Sequence, residues 1–359
     1  MNRYPRIVID IGKITANYQI IAKRAREAGI AVTGVVKGIA GDARIAAGLI
    51  ESGLDWIGGS RLENLQKIDT PAGVRKMLLR LPSFSQLEPV VHWANQSLHS
   101  EMEVLKAMDR LADSKTHEVF LMVDLGDLRE GVSEAEILEL GRECRKLKNL
   151  SISGIGANFS CFAGLKPSVA KLAVLVQLAD CLKAEYDLPI KWVSGGNSSS
   201  LGLLYDGRIP PGINHLRIGE GILLGRETLT GSDLPDLYQD AFIVEAEVIQ
   251  AKWKPAVPDG EVGLDAFGRV PCLPVKEPGL RLLLNLGHQD TPLTGLKPLD
   301  PELTVMGGSS DYLVMASSRP VKVGEVVAFR PDYWSLLGLM TSPYVEKVYK
   351  GIILRSLGS

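Results

Sequence analysis

Residues 31–38 read Ala-Val-Thr-Gly-Val-Val-Lys-Gly, an apolar run that ends in a lysine and a glycine. Short runs rich in β-branched residues are typical of strands buried within a sheet. Seven further runs in the first two-thirds of the chain have the same character, at 55–58, 77–81, 90–93, 119–123, 152–157, 190–193 and 215–218. We therefore predict eight strands in this part of the chain.

Helical patterns lie between many of these runs. The clearest are at 133–147 and 168–184, where apolar residues recur every three or four positions, and a first helix is predicted around 14–28. Alternating strands and helices indicate parallel βαβ units, and about eight such units close a (β/α)₈ barrel. An open, doubly wound α/β sheet would give much the same pattern.

The residue composition and periodicity of the sequence change after residue 225. Proline and glycine become frequent, helical periodicity largely disappears, and β-rich runs follow at 241–250, 281–286, 313–316 and 326–329. A linker-like stretch, Thr-Gly-Ser-Asp-Leu-Pro at 230–235, separates the region of alternating strands and helices from the β-rich region. We predict a barrel domain over 1–230 and a C-terminal, mostly β domain over 231–359, which the segment 6–11 could join.

Composition excludes several classes of protein. The chain has 359 residues, with 40 Lys and Arg against 42 Asp and Glu, so it carries no basic surplus for nucleic acid. No apolar run approaches the length of a membrane span, and no signal peptide is expected from the first residues, so a cytoplasmic location is expected. Four cysteines without a Cys-x-x-Cys pair favour free thiols, and five scattered histidines give no metal-ligand spacing.

Lys37 is the first candidate for an active-site residue. It ends an apolar strand, and the carboxyl ends of barrel strands face the active site. Burying an ammonium costs several kcal/mol, roughly, unless it is paired or neutralised. A lysine at such a place can instead form a Schiff base with a carbonyl group. The alternative is a lysine that simply begins a solvent-facing loop.

Three further segments combine glycines with polar or charged residues after predicted strands. Ser-Gly-Gly-Asn-Ser-Ser-Ser at 194–200 has backbone and hydroxyl donors that suit a phosphate, although an ordinary loop with a Ser N-cap would look the same. Arg217 lies within an apolar run near Gly221, where it either serves a ligand or forms a structural ion pair with Glu220. Arg129 lies in the glycine-containing, charged segment 124–131, which a solvated turn would also explain.

Together and in this order, these segments resemble the alanine racemase-like class of pyridoxal-phosphate (PLP) enzymes, called fold type III. The resemblance covers essentially the whole chain and implies an N-terminal PLP-binding (β/α)₈ barrel with a C-terminal β domain. It implies that Lys37 holds the cofactor, that Arg217 lies against its pyridine nitrogen, and that Arg129 lies near its phenolic oxygen and the substrate carboxylate. The implied phosphate contacts come from Asn197, Ser198, Ser199, Gly221, Ile222 and Tyr349.

Four segments are similar to the ornithine racemase-like branch of this class, at 122–131, 263–268, 307–312 and 340–345. The resemblance implies that Ser309 and Ser310 bind the substrate carboxylate from the partner subunit of a homodimer, with Tyr312 in the same motif. It also implies amino-acid racemisation, with the substrate left open and ornithine or another basic amino acid among the candidates.

The chain departs from alanine racemases at three places. Gly41 stands where they have a tyrosine that touches phosphate, and Asn158 stands where they have a histidine that stacks on the cofactor ring. Their second base is a tyrosine in a loop that here reads Gly-Leu-Asp-Ala-Phe-Gly at 263–268. We expect Asp265 to take that role, with Tyr312 and His288 as alternatives. Since an ordinary carboxylate is a poor acid, burial would have to raise the pKa of Asp265.

The predicted function is therefore two-base racemisation of an amino acid at Cα by Lys37 and Asp265, with PLP as the cofactor and without a metal. Three other readings remain. A PLP decarboxylase of the same fold type is one. A metal-dependent aldolase of D-hydroxy amino acids is another, because His288 and Asp290 could be metal ligands. The third is a non-catalytic PLP carrier protein, which the long second domain disfavours.

Overall fold

The computed structural model describes residues 3–112, 117–270 and 277–351. By its contacts the chain divides into two units, Met1–Lys13 with Asp240–Ser359, and Ile14–Gln239. This division lies C-terminal to the predicted boundary at residue 230. The chain begins with strand β1 (Arg6–Asp10) and helix α1 (Ile11–Glu27). None of the helices in the described ranges is both long and apolar enough to cross a membrane.

The unit Ile14–Gln239 is a closed barrel of eight parallel strands. Each strand pairs with the next, and the last pairs with the first through Thr33 opposite Arg217. The strands are β2 (Ala31–Val35), β3 (Trp56–Gly59), β4 (Arg75–Leu78), β5 (Gln96–His99), β6 (His117–Val123), β7 (Leu150–Ala157), β8 (Trp192–Ser194) and β9 (His215–Ile218). Closure confirms the predicted barrel and excludes the open sheet.

Helices connect the strands on the outside of the barrel. They are α2 (Ala43–Glu51), α3 (Leu62–Gln66), α4 (Leu87–Trp93), α5 (Met102–Asp109), α6 (Glu134–Cys144), α7 (Val169–Tyr186), α8 (Leu201–Tyr205) and α9 (Glu220–Leu224). Local sequence sets their starts. Ser133 and Glu136 form a reciprocal capping box at α6, and the Asp42 carboxylate accepts two backbone N–H groups at the start of α2.

One predicted strand is wrong. Residues 90–93 lie in helix α4, which buries Leu87 and Val90 on one face, and the fourth barrel strand is β5, Gln96–His99. Strand β5 could not be recognised as an apolar run, because its residues are mostly polar although they are fully buried. Inside the barrel they are paired: the Ser97 hydroxyl lies 2.8 Å from His99 Nε2 and 2.7 Å from His117 Nε2. A polar strand is stable there because its neighbours satisfy its hydrogen bonds.

The barrel has an apolar core on each side of its wall. Outside, the helices pack on the strands around residues such as Leu121, Ile155 and Leu175. The interior is filled by a second cluster, made of Trp56, Met77, Leu98, Phe120 and Met122. His215 lies beside this cluster, with its ring centre 4.9 Å from that of Trp56. The barrel is thus a packed core, and chemistry is left to its rim.

The other unit is built on an eight-stranded sheet. Its remaining strands are β10 (Phe242–Lys254), β11 (Gly279–Leu284), β12 (Leu296–Pro298), β13 (Leu303–Gly308), β14 (Leu313–Ser317), β15 (Val326–Pro331) and β16 (Glu346–Lys350). The path runs β12-β15-β10-β11-β14-β13, and β1 pairs antiparallel with β10 and parallel with β16. This sheet confirms the predicted mostly β region.

One helix in this unit was not predicted, α10 (Tyr333–Thr341). Its sequence, Tyr-Trp-Ser-Leu-Leu-Gly-Leu-Met-Thr, is apolar on most sides and lacks a clear polar face. The start is nevertheless marked, because the Asp332 carboxylate accepts the Ser335 N–H at 2.7 Å. A short helix of this kind is decided by its cap and its packing more than by periodicity.

Candidate active site

Lys37 lies at the carboxyl end of β2, where the backbone leaves the barrel wall. It is the first residue of a short 3-10 helix, Lys37–Ile39, and it is exposed while Gly38 and Ile39 are buried. Two left-handed residues, Ala40 and Gly41, then turn the chain toward α2. Lys37 therefore stands at the barrel rim on which the chemistry of this fold is built.

Glycine is required at position 41 by the local geometry. Its φ is +68°, and an added Cβ would lie 2.6 Å from Asn64 Cβ and 2.7 Å from the Asn64 carbonyl oxygen. A side chain here would be strained and would collide with backbone.

The serine-rich loop follows β8 at the same rim. The Ser198 hydroxyl accepts the backbone N–H groups of Gly219 and Gly221 at 3.2 and 3.1 Å, which ties this loop to the turn after β9. The Ser199 hydroxyl is buried and has no hydrogen-bond partner among the described residues. An orphaned buried donor is costly unless something else accepts from it.

Asn197 orients this loop with its side chain. Its amide oxygen accepts the Ser199 N–H at 2.8 Å, as the N-cap of the 3-10 helix Ser198–Ser200. Its amide nitrogen donates to the Phe159 carbonyl at 2.9 Å and to Cys161 Sγ at 3.1 Å. The capping side chain is therefore Asn197 and not a serine, since Ser200, which precedes α8, makes no side-chain cap hydrogen bond.

Arg217 is buried in β9, with 3% of its surface exposed. Its guanidinium donates to the Ala157 carbonyl at 2.7 Å, to Asn158 Oδ1 at 2.8 Å and to the Ser194 hydroxyl. All three acceptors are neutral, so the structural ion pair with Glu220 is not what holds it. Burial lowers the pKa of Arg217 to about 10, so it remains cationic at neutral pH.

Arg129 lies in the loop after β6 and is paired with its neighbour. Its Nη2 donates to Glu130 Oε1 at 2.6 Å, and its Nε contacts the second carboxylate oxygen. The side chain of Arg129 is 39% exposed and that of Glu130 only 15%. The start of the loop is an Asx turn, in which the Asp124 carboxylate accepts the Gly126 and Leu128 N–H groups.

Four polar residues at this rim were not predicted to contact its arginines: Glu130, Asn158, Cys161 and Ser194. Of these, the sequence analysis had named Asn158 in place of a histidine and Ser194 within the segment 194–200. Burial raises the pKa of the Cys161 thiol, and the positive charges of Arg129 and Lys37 oppose that rise, which places the thiol within their fields. The signal that could have found these residues is position, because each follows or ends a barrel strand. Their residue types alone gave no indication.

The predicted residues of the second unit form a separate group around the loop 263–268. The Asp265 carboxylate accepts the Phe267 N–H at 2.9 Å and the Arg269 N–H at 2.8 Å. The Phe267 ring meets His288 edge-on, 4.8 Å between ring centres. The structure therefore brings Asp265 and His288 into one neighbourhood.

The pKa of Asp265 does not follow the expectation. The residue is exposed, and the hydrogen bonds from the Arg269 and Phe267 N–H groups hold its pKa below the usual carboxyl value. The prediction that burial raises this pKa is wrong for the single chain, and the carboxylate caps a turn. The charge on Arg269 adds to the lowering, because a cation favours the ionised form.

The 309–312 segment joins the same group through backbone bonds. The His288 and Gln289 N–H groups donate to the carbonyls of Ser309 and Ser310, both at 3.0 Å. Tyr312 is 46% exposed and its N–H donates to the Ser309 hydroxyl at 3.3 Å. Tyr349 lies on β16, half-buried and paired with Ile9.

The described residues contain no group of three or more His, Cys, Asp and Glu side chains that could hold a metal ion. Of the suggested ligands, Asp290 is already engaged: its carboxylate accepts from the Ser342 hydroxyl at 2.8 Å and from the Gly287 N–H at 3.1 Å. Cys144, Cys161 and Cys181 are free thiols, and Cys272 lies outside the described residues.

Comparison with known proteins gives the family. The family model "Alanine racemase, N-terminal domain" matches residues 9–226. The chain is 41% identical over 350 residues to ornithine racemase of Acetoanaerobium sticklandii, covering 96% of this chain and 99% of that protein. It is 39% identical over 353 residues to lysine racemase of Thermotoga maritima, covering 97% and 99%.

A solved structure agrees with the fold. Alanine racemase from Bartonella henselae with covalently bound pyridoxal phosphate superposes with a TM-score of 0.73 at 18% identity, covering 97% of this chain and 100% of that chain. The family model spans more than half of this chain, and both relatives match it over nearly their full length. The protein therefore belongs to the alanine racemase family of amino-acid racemases.

Proposed function

We propose that this protein racemises a basic amino acid, interconverting the L and D forms of ornithine or lysine with PLP held by Lys37. The observation that carries the substrate class is the match to two relatives, an ornithine racemase at 41% identity and a lysine racemase at 39%. Both matches span nearly the whole of each protein, so they include the second unit as well as the barrel.

The rim residues fit the cofactor that the family implies. A phosphate group needs several donors, and the buried Ser199 hydroxyl, which has no partner among the described residues, is available to donate. The Ser198 hydroxyl accepts from two backbone N–H groups and keeps its own proton to donate. We assign the phosphate to Ser198, Ser199 and the backbone near Gly221 and Ile222, with Asn197 holding the loop in shape and Tyr349 as a further contact.

When bound, PLP supplies an electron sink that makes the Cα proton of an amino acid removable. Lys37 would hold the cofactor covalently and, once released, move a proton to and from one face of Cα. Its exposure at the barrel rim supports this role, because the amine must reach both a cofactor and a substrate.

Arg217 would control the reaction through its charge. It is held by three neutral acceptors and remains cationic at neutral pH, so it disfavours a proton on a neighbouring ring nitrogen. A pyridine ring without this proton withdraws electron density less strongly. This favours return of the proton to Cα over side reactions such as transamination. Arg129, partly exposed, would attract the substrate carboxylate.

A second base must serve the opposite face of Cα. We retain Asp265 as the first candidate, followed by Tyr312 and His288, contributed by the second subunit of a homodimer together with Ser309 and Ser310. Asp265 and His288 share one neighbourhood, which supports a common role for this group. For Asp265 to act as an acid, subunit association would have to remove it from water.

The test is a panel of L-amino acids with the purified holoenzyme, containing ornithine, lysine, arginine, alanine and serine. We expect loss of optical rotation with ornithine or lysine at a kcat/KM at least about tenfold above alanine. Release of CO₂ or of an aldehyde would instead identify a decarboxylase or an aldolase. Lys37→Ala is the control: borohydride should fix PLP to the wild type and not to this variant. Covalent attachment at another lysine would contradict the assignment.

A further inference from the structure

A continuous line of hydrogen bonds joins the two arginines at the barrel rim. Arg129 Nη2 donates to Glu130 Oε1 at 2.6 Å, the Asn158 amide nitrogen donates to the same carboxylate oxygen, and Arg217 Nη2 donates to Asn158 Oδ1 at 2.8 Å. These residues come from the loop after β6, the end of β7 and the middle of β9. The resemblance assigned roles to both arginines but none to the two residues between them.

We propose that Glu130 is a positioning residue of the racemase, whose carboxylate fixes Arg129 directly and fixes Arg217 through the Asn158 amide. This inference rests on the proposed function only for the roles of the two arginines. The linkage itself is a property of the folded chain and can be tested without any substrate.

The orientation of the Asn158 amide depends on both of its neighbours, Glu130 and Arg217. A guanidinium can only donate and a carboxylate can only accept, whereas an amide has one accepting oxygen and one donating nitrogen. Asn158 therefore fits between Arg217 and Glu130 in one orientation alone. Turning the amide over would place donor against donor and acceptor against acceptor, so Glu130 selects the orientation that holds Arg217.

Glu130 is itself held in place by Arg129. Its side chain is 15% exposed, and both carboxylate oxygens contact Arg129, by Nη2 and by Nε. A two-point pair between a guanidinium and a carboxylate fixes distance and plane together. Because Glu130 is held in this way, it gives Asn158 an acceptor at a fixed place, and the constraint reaches Arg217.

A neutral amide separates the positive charge of Arg217 from the negative charge of Glu130. Among the described residues Arg217 donates to three neutral acceptors, and the Asn158 amide lies between it and the Glu130 carboxylate. Burial lowers the pKa of Arg217, while the nearby Cys161 and Glu130 act in the opposite direction. A carboxylate in direct contact would pair with Arg217 and offset its charge. The amide spacer instead lets Glu130 orient Arg217 and leaves that charge available to the cofactor.

The chain provides a matched control in Glu118, at the start of β6. Arg75 Nη1 donates to Glu118 Oε1 at 2.9 Å, and the side chains are 43% and 17% exposed, close to the 39% and 15% of the Arg129–Glu130 pair. Glu118 lies at the amino end of the strand, away from the rim. Glu118→Gln therefore removes a similar ion pair without touching the proposed linkage.

The experiment compares Glu130→Gln with Glu118→Gln in the PLP-loaded protein. A glutamine at 130 has one accepting oxygen for two donors, so either Arg129 or Asn158 loses its partner. We expect the pH titration of the cofactor's visible absorption band to move by about one pH unit and the KM for L-ornithine to rise about tenfold, equivalent to about 1.4 kcal/mol. In Glu118→Gln both should stay within about twofold, and Glu130→Asp should recover part of the titration.

A second variant guards against a folding defect. Asn158→Leu keeps the Arg129–Glu130 pair and removes the link to Arg217, so it should reproduce the shift of the absorption titration. If both variants titrate like the wild type, or if Glu130→Gln loses only thermal stability, as Glu118→Gln would, the linkage is refuted. If the wild type fails to racemise basic amino acids while the titration shift is present, the proposed function fails and the positioning role of Glu130 stands.

Discussion

Acidification should destabilise the barrel strongly below pH 6.5, because three of the five histidines are buried there without charge. His99, His117 and His215 are at most 2% exposed. Burial lowers the pKa of His99 to about 3 and that of His117 to about 4, and it lowers the pKa of His215 well below its usual value. Each has a ring nitrogen within hydrogen-bond distance of a neutral hydroxyl: that of Ser97 for Nε2 of His99 and of His117, and that of Thr33 for Nε2 of His215.

The sign follows from proton counting. The unfolded chain has histidines with a pKa near 6.5, so below that pH it binds more protons than the folded chain, and acidification favours unfolding. Between pH 7.5 and pH 5 each histidine that stays neutral in the fold costs about 2 kcal/mol, so three cost about 6 kcal/mol. The loss begins near pH 6.5 and continues toward pH 4. That sum is comparable to the whole stability of a typical domain, about 5–15 kcal/mol.

Urea unfolding at a series of pH values measures this loss. Trp56 and Trp192 lie against His215 and report on the barrel interior by fluorescence. We expect the free energy of unfolding to fall by about 4 kcal/mol per pH unit near pH 5, and by about one-third less in His99→Gln. The exposed His92, replaced by glutamine, should leave the slope unchanged. A slope below about 1.4 kcal/mol per unit would mean that at most one histidine is held neutral, and would refute the reasoning.

Three further predictions concern the site. Arg217→Glu should raise the ratio of keto acid to D-amino acid formed, because a nearby negative charge favours a proton on the ring nitrogen; an unchanged ratio by chromatography would remove this role. Asp265→Asn should stop Cα deuterium exchange from one enantiomer in D₂O and spare it from the other, and normal exchange from both would eliminate Asp265 as the second base. Ser199→Ala should weaken PLP binding by the apoprotein about tenfold, since it removes a buried donor that has no partner within the described chain. In that titration Ser200→Ala is the control, because Ser200 donates to the Gly195 carbonyl instead, and equal affinities would oppose the phosphate assignment.

Much of the barrel could be predicted because its strands are short, apolar and separated by helices. Strand β2 ends at Val35, two residues before Lys37, and strand β9 contains Arg217, as the apolar runs indicated. Once parallel strands are assumed, their carboxyl ends meet at one rim, so residues far apart in sequence were expected together. The placement of Lys37, Ser198 and Arg217 in the barrel unit agrees with that reasoning.

The errors have a common cause, which is that polarity along the chain does not report burial in three dimensions. The predicted strand at 90–93 is a helix, because Leu87 and Val90 recur at helical spacing while the true strand β5 hides polar residues inside the barrel. The helix Tyr333–Thr341 was missed since it lacks a polar face. The acidity expected of Asp265 depended on burial, and in the single chain the loop leaves it exposed.

The sequence by itself indicated the alternation of strands and helices, placed Lys37, Asn197 and Arg217 in or just after predicted strands, and provided the family resemblance that gave them roles. These features are local or depend only on chain order. The tertiary structure alone decided how the rim is held together, since Glu130 and Asn158 are 28 residues apart and Asn158 and Arg217 are 59 apart. Hydrogen bonds of this kind depend on distance and direction at the ends of different strands, and closure of the barrel is what brings those ends within about 3 Å of each other.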